Sequence, residues 1–377
     1  MDPLLNPFSP GAGAPPPELA GRDELIRAAT IALGRIRLGR PEKSQILLGL
    51  RGVGKTVLLN KISEMAEKSG YLVVEIESPE GQSLAEYLAP ALKAVLLRLN
   101  KVEKAKDYVA RAMGALRGFA SAFKVSVGQM EFGVTEPETA DSGNLEIDLP
   151  ELLLAVGEAA KAADTSVAIC VDEVQYLSEV DLRSLIVALH RISQKQLPLV
   201  LFGAGLPQVA ALAGEAKSYA ERLFDYPEVG PLGPEAARTA VREPIHDQNE
   251  DIEPAALERI FEVTQGYPYF LQEWGKHAWN AASKSPITKE DVDVASELAT
   301  AALDKNFFRV RFDRLTPREQ DYLRAMAELG PGPHRSGSIA ECLGTTVEKM
   351  GPLRSGLIKK GMIWSPAHGD TAFTVPM

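Results

Sequence analysis

Cysteine is almost missing from this chain: two residues in 377, Cys170 and Cys342, far apart and without C-x-x-C spacing. That pattern argues against a disulfide framework and against a cysteine-built metal site, and Cys170, inside an apolar run, reads as a small core hydrophobe. Histidine is sparse as well, with five scattered residues and no H-x-x-x-H pair. No apolar run approaches the roughly 20 residues of a membrane-spanning helix, and the first residues lack a signal-peptide layout. The expectation is a cytoplasmic protein with no membrane partner. A basic excess is missing too. The net charge of −10 does not suit a surface coated with nucleic acid, although it leaves room for one local basic face. An apolar content of 45% and a charged content of 24% argue against global disorder, and the length suggests two or three domains.

What is present is concentrated first between Gln45 and Leu59, Q-I-L-L-G-L-R-G-V-G-K-T-V-L-L. A short apolar run leads into Gly49, Gly52 and Gly54, then Lys55 and Thr56, then an apolar helical start. This is G-x-x-x-x-G-K-[ST] in its required setting, after a strand and before a helix. Glycines let the backbone curl so that successive N–H groups, those of Val53 and the residues up to Val57 included, face phosphate oxygens at a helix N-terminus. Lys55 would reach the β- and γ-phosphates and the Thr56 hydroxyl would sit on Mg²⁺. The second concentration is Val167 to Val171, an apolar strand running straight into Asp172 and Glu173. Beside a phosphate loop, Asp172 would hold Mg²⁺ through water and Glu173 would polarise the attacking water. The expected reaction is Mg-dependent hydrolysis of ATP to ADP and phosphate.

Alternation of strands and helices from Gln45 to about Pro231 predicts an α/β fold, a parallel sheet with helices on both faces. Residues 1–20, rich in Pro, Gly and Ala, read as a flexible arm. Residues 21–232 form the nucleotide-binding domain, interrupted at about 101–149 by a helix and a hairpin turning at Gly128-Gln129. That insertion suits a partner contact or a decorative edge equally. A helix is predicted from Pro150 to Ala163, with Asp148 near its N-cap. Residues 233–306 read as helices only, and 307–377 as three helices with a hairpin, a winged helix-turn-helix. Capping boxes are predicted at Thr288 to Asp291 and Thr316 to Glu319.

Together these features resemble the AAA+ ATPases, within them the branch of origin-recognition and initiator-loader ATPases and the related STAND signalling ATPases. The resemblance implies that Gly21 and Arg22 lie on the adenine side. It implies that Arg222, in A-E-R-L-F, is an arginine finger reaching a neighbouring subunit, a surface arginine being the other reading. It also implies that Pro268, in Gly266-Tyr267-Pro268-Tyr269, helps cover the nucleotide. The sequence departs from the family twice. Gly203-Ala204-Gly205 offers no polar side chain where Asn, Ser or Thr is usual, and Tyr269 stands where initiator-type members carry arginine. Both departures remove groups that stabilise charge on the γ-phosphate, so slow hydrolysis and a switch are expected rather than a fast motor.

Residues 311–377 carry nine Lys or Arg against seven Asp or Glu, a net of +2 against −12 for the remainder. Lys349, Arg354, Lys359 and Lys360 fall on or beside the third helix, where a recognition helix would face double-stranded DNA. The resemblance therefore implies either a DNA-engaging switch, with a homo-oligomer or protein partner, or a STAND-type switch whose winged helix gates assembly without touching DNA.

Overall fold

Five short strands make one parallel sheet in the order β2-β3-β4-β1-β5: β1 Ser44–Leu48, β2 Tyr71–Glu77, β3 Ser166–Asp172, β4 Leu199–Gly205 and β5 Phe224–Asp225. The structure is a computed structural model and describes residues 1–11, 13–78, 81–127 and 139–375. The chain divides into two compact units, one of Arg22–Gly49 and Lys55–Val229, the other of Met1–Gly21, Leu50–Gly54 and Gly230–Met377.

The first unit holds the sheet and helices α1 Asp23–Arg37, α2 Lys55–Lys68, α3 Leu84–Leu99, α4 Lys106–Ala122, α5 Leu145–Ala162, α6 Glu179–Gln194, α7 Val209–Ala216 and α8 Ala220–Leu223. Every residue of β1 is buried, as are all of β3 except Asp172. Alternation along β3 explains how: Val167, Ile169 and Val171 join the core under α3, α5 and α6, while Ala168 and Cys170 face the side where α2 packs. A strand buried on both faces has no use for polar alternation, which is why these segments read as continuous apolar runs. In the order of the sheet, β4 lies between β1 and β3. The β1 loop and the carboxylates after β3 therefore emerge from the same edge two strands apart, at the C-terminal ends where α/β folds place ligands.

Two expectations shift here. Helix α5 begins at Leu145, not at Pro150, because the Asn144 side chain accepts from the Glu146 N–H and caps it five residues earlier. Asp148 is then free of the capping role and is fully buried, accepting from the Ser142 and Gly143 N–H groups and the Ser142 hydroxyl. The hairpin predicted around Gly128-Gln129 lies outside the described residues.

The second unit contains α9 Pro234–Asp247, α10 Pro254–Thr264, α11 Pro268–Ala281 and α12 Lys289–Leu303, followed by α13 Arg309–Phe312, α14 Pro317–Glu328, α15 Ser336–Cys342 and α16 Val347–Lys359. Three short strands, β6 His334–Arg335, β7 Ile363–Trp364 and β8 Asp370–Phe373, pair antiparallel in the order β6-β8-β7. Tyr322, Met326, Ile339, Leu357 and Ile363 form the core of this C-terminal module. Both capping boxes form, at Thr288 with Asp291 and at Thr316 with Glu319.

The N-terminal arm, expected to be flexible, is seated on α11. The Trp279 indole donates to the Asp2 carbonyl at 2.8 Å, and the Asn6 amide donates to the Lys276 carbonyl at 3.0 Å. Phe8 is 3% exposed and fills the space above Gly275, where a Cβ would come within 2.8 Å of its ring. Phe8 is the one aromatic residue among the first 20, so the segment's Pro- and Gly-rich composition gives no warning of the contact.

Candidate nucleotide site

The centre of the site joins the start of α2 to the end of β3. Thr56 follows Lys55 in the first turn of α2, and its Oγ1 donates to Asp172 Oδ2 at 2.6 Å. The other Asp172 oxygen accepts from the Glu173 N–H at 2.8 Å. Burial pushes the Asp172 carboxyl above its ordinary range, against the Thr56 hydroxyl and the Glu173 N–H, which favour the charged form. Lys55 is 8% exposed and adds a favourable charge to Asp172. A hydroxyl and a half-buried carboxylate in contact, beside a lysine, form a hard-oxygen donor set that fits Mg²⁺. The phosphate loop is tied to the sheet at its entrance by the Gly49 N–H, which donates to the Gly205 carbonyl at 3.1 Å.

Glu173 stands in the left-handed region, φ 52°. A non-glycine residue there costs on the order of 1–3 kcal/mol and persists only where neighbours hold it. One such neighbour is Gln175, whose amide N–H₂ donates to Glu173 Oε2 while its Oε1 accepts from the Leu206 N–H at 3.0 Å. This bridge accounts for the glycines at the end of β4. A Cβ at Gly205 would lie 2.8 Å from Val209 Cγ2 and 3.0 Å from Gln175 Oε1, and one at Gly203 would lie 3.1 Å from Val174 Cγ2. The space that a polar β4 side chain would take is thus filled by Val174 and Gln175. Gln175 stands two residues beyond Glu173 in the sequence. Its bridge is the functional contact sequence reasoning missed, for nothing in the spacing of 173, 175 and 206 announces it.

The tip of the phosphate loop belongs to the second unit. Gly52 and Gly54 have φ of 81° and 90°, and the Tyr269 N–H donates to the Gly52 carbonyl at 3.1 Å. The Tyr267 hydroxyl donates to the Arg51 carbonyl. The Arg51 guanidinium lies against Gly361, just after α16, where an added Cβ would be 2.7 Å from Nε. Pro268 is half-buried at the first position of α11.

The remaining sequence candidates fall as follows. Gly21 has φ 67° and sits tightly on α9, where a Cβ would be 2.6 Å from Ala236 Cβ. Arg22 is buried, which lowers its guanidinium from the ordinary value. Arg222 is exposed on the short α8. Arg354 donates to Thr371 Oγ1, Ser365 Oγ and the Asp370 carbonyl, each at 2.8 Å, and Lys360 pairs with Glu319 at 2.7 Å. Those two cations brace the module they belong to. Lys349 and Lys359 are exposed. Among the described residues no cluster of His, Cys, Asp and Glu suits a metal by itself, and no helix is long and apolar enough to cross a membrane.

Residues 18–202 match the AAA ATPase domain, and residues 305–377 match a domain of unknown function, DUF8462. The chain is 24% identical over 367 residues, 94% of its length, to an uncharacterized HTH-type transcriptional regulator of Methanocaldococcus jannaschii, MJ0774, of which 85% is covered. Among solved structures it resembles the Walker-type ATPase Paby2304 of Pyrococcus abyssi, at 18% identity with a TM-score of 0.57 over 96% of each chain. The RuvB Holliday junction branch migration motor of Thermotoga maritima, at 14% identity, gives a TM-score of 0.47 over 98% of this chain and 95% of that one. The phosphate loop and the strand ending in Asp172 fall within the stretch that matches the AAA ATPase domain, and the parallel sheet with its helices is a P-loop α/β fold that continues into a helical C-terminal region.

Proposed function

We propose that this protein is an ATP-binding, slowly hydrolysing ATPase that acts as a nucleotide-dependent switch and engages double-stranded DNA through its C-terminal module, read as a winged helix. The observation that carries the reading is the Thr56 to Asp172 hydrogen bond beside Lys55, with Glu173 held next to it. In this reading Gly49, Gly52, Val53, Gly54, Lys55, Thr56 and Val57 cradle the phosphates, and Gly21, Arg22 and Pro268 serve the base. Mg²⁺, held by Thr56 and by Asp172 through water, would neutralise charge on the phosphate oxygens. Glu173 orients the attacking water and takes its proton. Gln175 keeps that carboxylate in place. Hydrolysis is slow because no polar side chain stands at Gly203, Ala204 or Gly205 and Tyr269 supplies no cation. Arg222, exposed on α8, would complete the site of a neighbouring subunit in a homo-oligomer. A cytoplasmic location goes with this reading.

DNA engagement rests on Lys349 and Lys359, exposed on α16, and on the relative named as an HTH-type regulator. A second reading, a STAND-type switch whose winged helix gates assembly with a protein partner, is favoured by the Gly266-Tyr267-Pro268 motif and by Arg354 and Lys360 being occupied within the module. Duplex binding measured against salt separates the two. The DNA reading expects a log–log slope that loses about 0.9 for each lysine changed to Glu. No affinity at low salt, or a slope indifferent to Lys349→Glu and Lys359→Glu, leaves the gating reading.

A further inference from the structure

The residues that open α11 touch the tip of the phosphate loop in a way the reaction itself does not require. The Tyr267 hydroxyl donates to the carbonyl of Arg51, and the Tyr269 N–H donates to the carbonyl of Gly52 at 3.1 Å. These are consecutive carbonyls. In a trans peptide the C=O and the following N–H point to opposite sides of the chain. Drawing the Arg51 and Gly52 carbonyls toward α11 therefore turns the Gly52 and Val53 amides to the other side. Gly52 and Gly54 are left-handed with Val53 between them outside that region, the alternation that makes successive amides converge on an anion.

The clamp is built rather than incidental. Tyr267 is 2% exposed, its ring lies 4.9 Å from that of Phe270, and burial raises its hydroxyl well above the ordinary tyrosine value, so it remains a donor at any working pH. Tyr269 is held in turn, its hydroxyl on Glu273 at 3.1 Å and its ring 5.4 Å from Phe307. Gly52 is required for the fit: a Cβ there would stand 3.1 Å from Tyr267 Cε1 and 3.2 Å from Tyr269 Cβ.

We propose that Tyr267, with the backbone N–H of Tyr269, is a positioning clamp that sets the phosphate loop to select the polyphosphate part of a nucleotide. This rests on the loop being a nucleotide site, as proposed above. Because the clamp acts on the amides and not on the base, it predicts a loss that depends on phosphates. The test is Tyr267→Phe in the full chain, which keeps the ring against Phe270 and removes only the donor. Calorimetric titrations with ADP and inorganic pyrophosphate, and competition by adenosine, give the three affinities.

ADP and pyrophosphate should each bind roughly two- to tenfold more weakly, the span of one hydrogen bond, with adenosine within twofold of the parent. Hydrogen exchange in the nucleotide-free peptide spanning 49–56 should quicken in the variant, with its melting temperature unchanged. Affinities for ADP and adenosine that fall together, or an ADP-to-adenosine ratio and exchange rate equal to the parent's, overturn the clamp while leaving the nucleotide site standing. A parent protein that binds neither ADP nor pyrophosphate removes the site and the clamp together.

Discussion

Gln175 offers the sharpest test of how the carboxylate chemistry is arranged. Its amide donates to Glu173 and accepts from the Leu206 N–H, so Gln175→Ala removes a bond to a charged group, worth about 1.5–3 kcal/mol, and a neutral one worth about 1 kcal/mol. Glu173 already sits at φ 52°, a conformation its neighbours must hold. Released from Gln175, its carboxylate can swing away from the water it should orient. Misplacement by about 1 Å costs on the order of a hundredfold. If between half and all of the charged bond is realised in the transition state, kcat falls by about three- to a hundredfold at 1.4 kcal/mol per decade. ATP affinity, set by the phosphate loop, should stay within about threefold, since a loss confined to the transition state appears in kcat. Phosphate release at saturating ATP, with nucleotide binding measured separately, reads both. Gly205→Ala should reproduce the defect, because its Cβ would press on Gln175 Oε1 at 3.0 Å. A kcat within twofold of the parent in Gln175→Ala would refute the positioning role.

Two further predictions concern the scaffold. Phe8→Ala empties the slot over Gly275 and should cost the second unit about 3 kcal/mol, lowering its melting temperature by roughly 10 °C; an unchanged melt would mean the arm is not seated in solution. For Glu319, burial pushes the carboxyl up, but Lys360 and then the Thr316 N–H and hydroxyl outweigh it and hold the group below the ordinary Glu value. A carboxyl depressed by folding adds stability above its unfolded pKa of about 4.3 and loses it as the pH falls through the folded value. The gap in melting temperature between the parent and Glu319→Gln, corresponding to about 1 kcal/mol for the cap near neutrality, should therefore close on acidification, and a gap that widens below pH 4 would contradict the assignment.

Much of the architecture could be read from local pattern. Apolar runs of four to seven residues gave the strands, Pro at the first helical position gave the starts of α9 and α14, and the boxes at Thr288 and Thr316 formed where the spacing placed them. These features act within a few residues, so sequence carries them. What could not be read depends on residues distant in the chain. Gln175 needs Leu206, Phe8 needs Gly275, and Arg354 needs the Asp370 carbonyl to be spent inside its own module. The glycines at 203 and 205 looked like a missing group, and only packing shows that Val174 and Gln175 occupy the space. The start of α5 differs from expectation for a related reason: Pro150 marks a boundary locally, but the Asn144 side chain caps the helix five residues earlier and Pro150 lies inside it.

The central claim is that Glu173 activates water at a site whose phosphate loop and metal ligands bind ATP without it. The measurement is ATP bound and phosphate released per subunit in Glu173→Gln, which keeps the shape of the side chain and removes its charge. Bound ATP at the parent's level with phosphate release down by about a hundredfold or more is the predicted result, within the range general-base groups contribute. Turnover equal to the parent's, or a loss of ATP binding as large as the loss of turnover, would contradict the account.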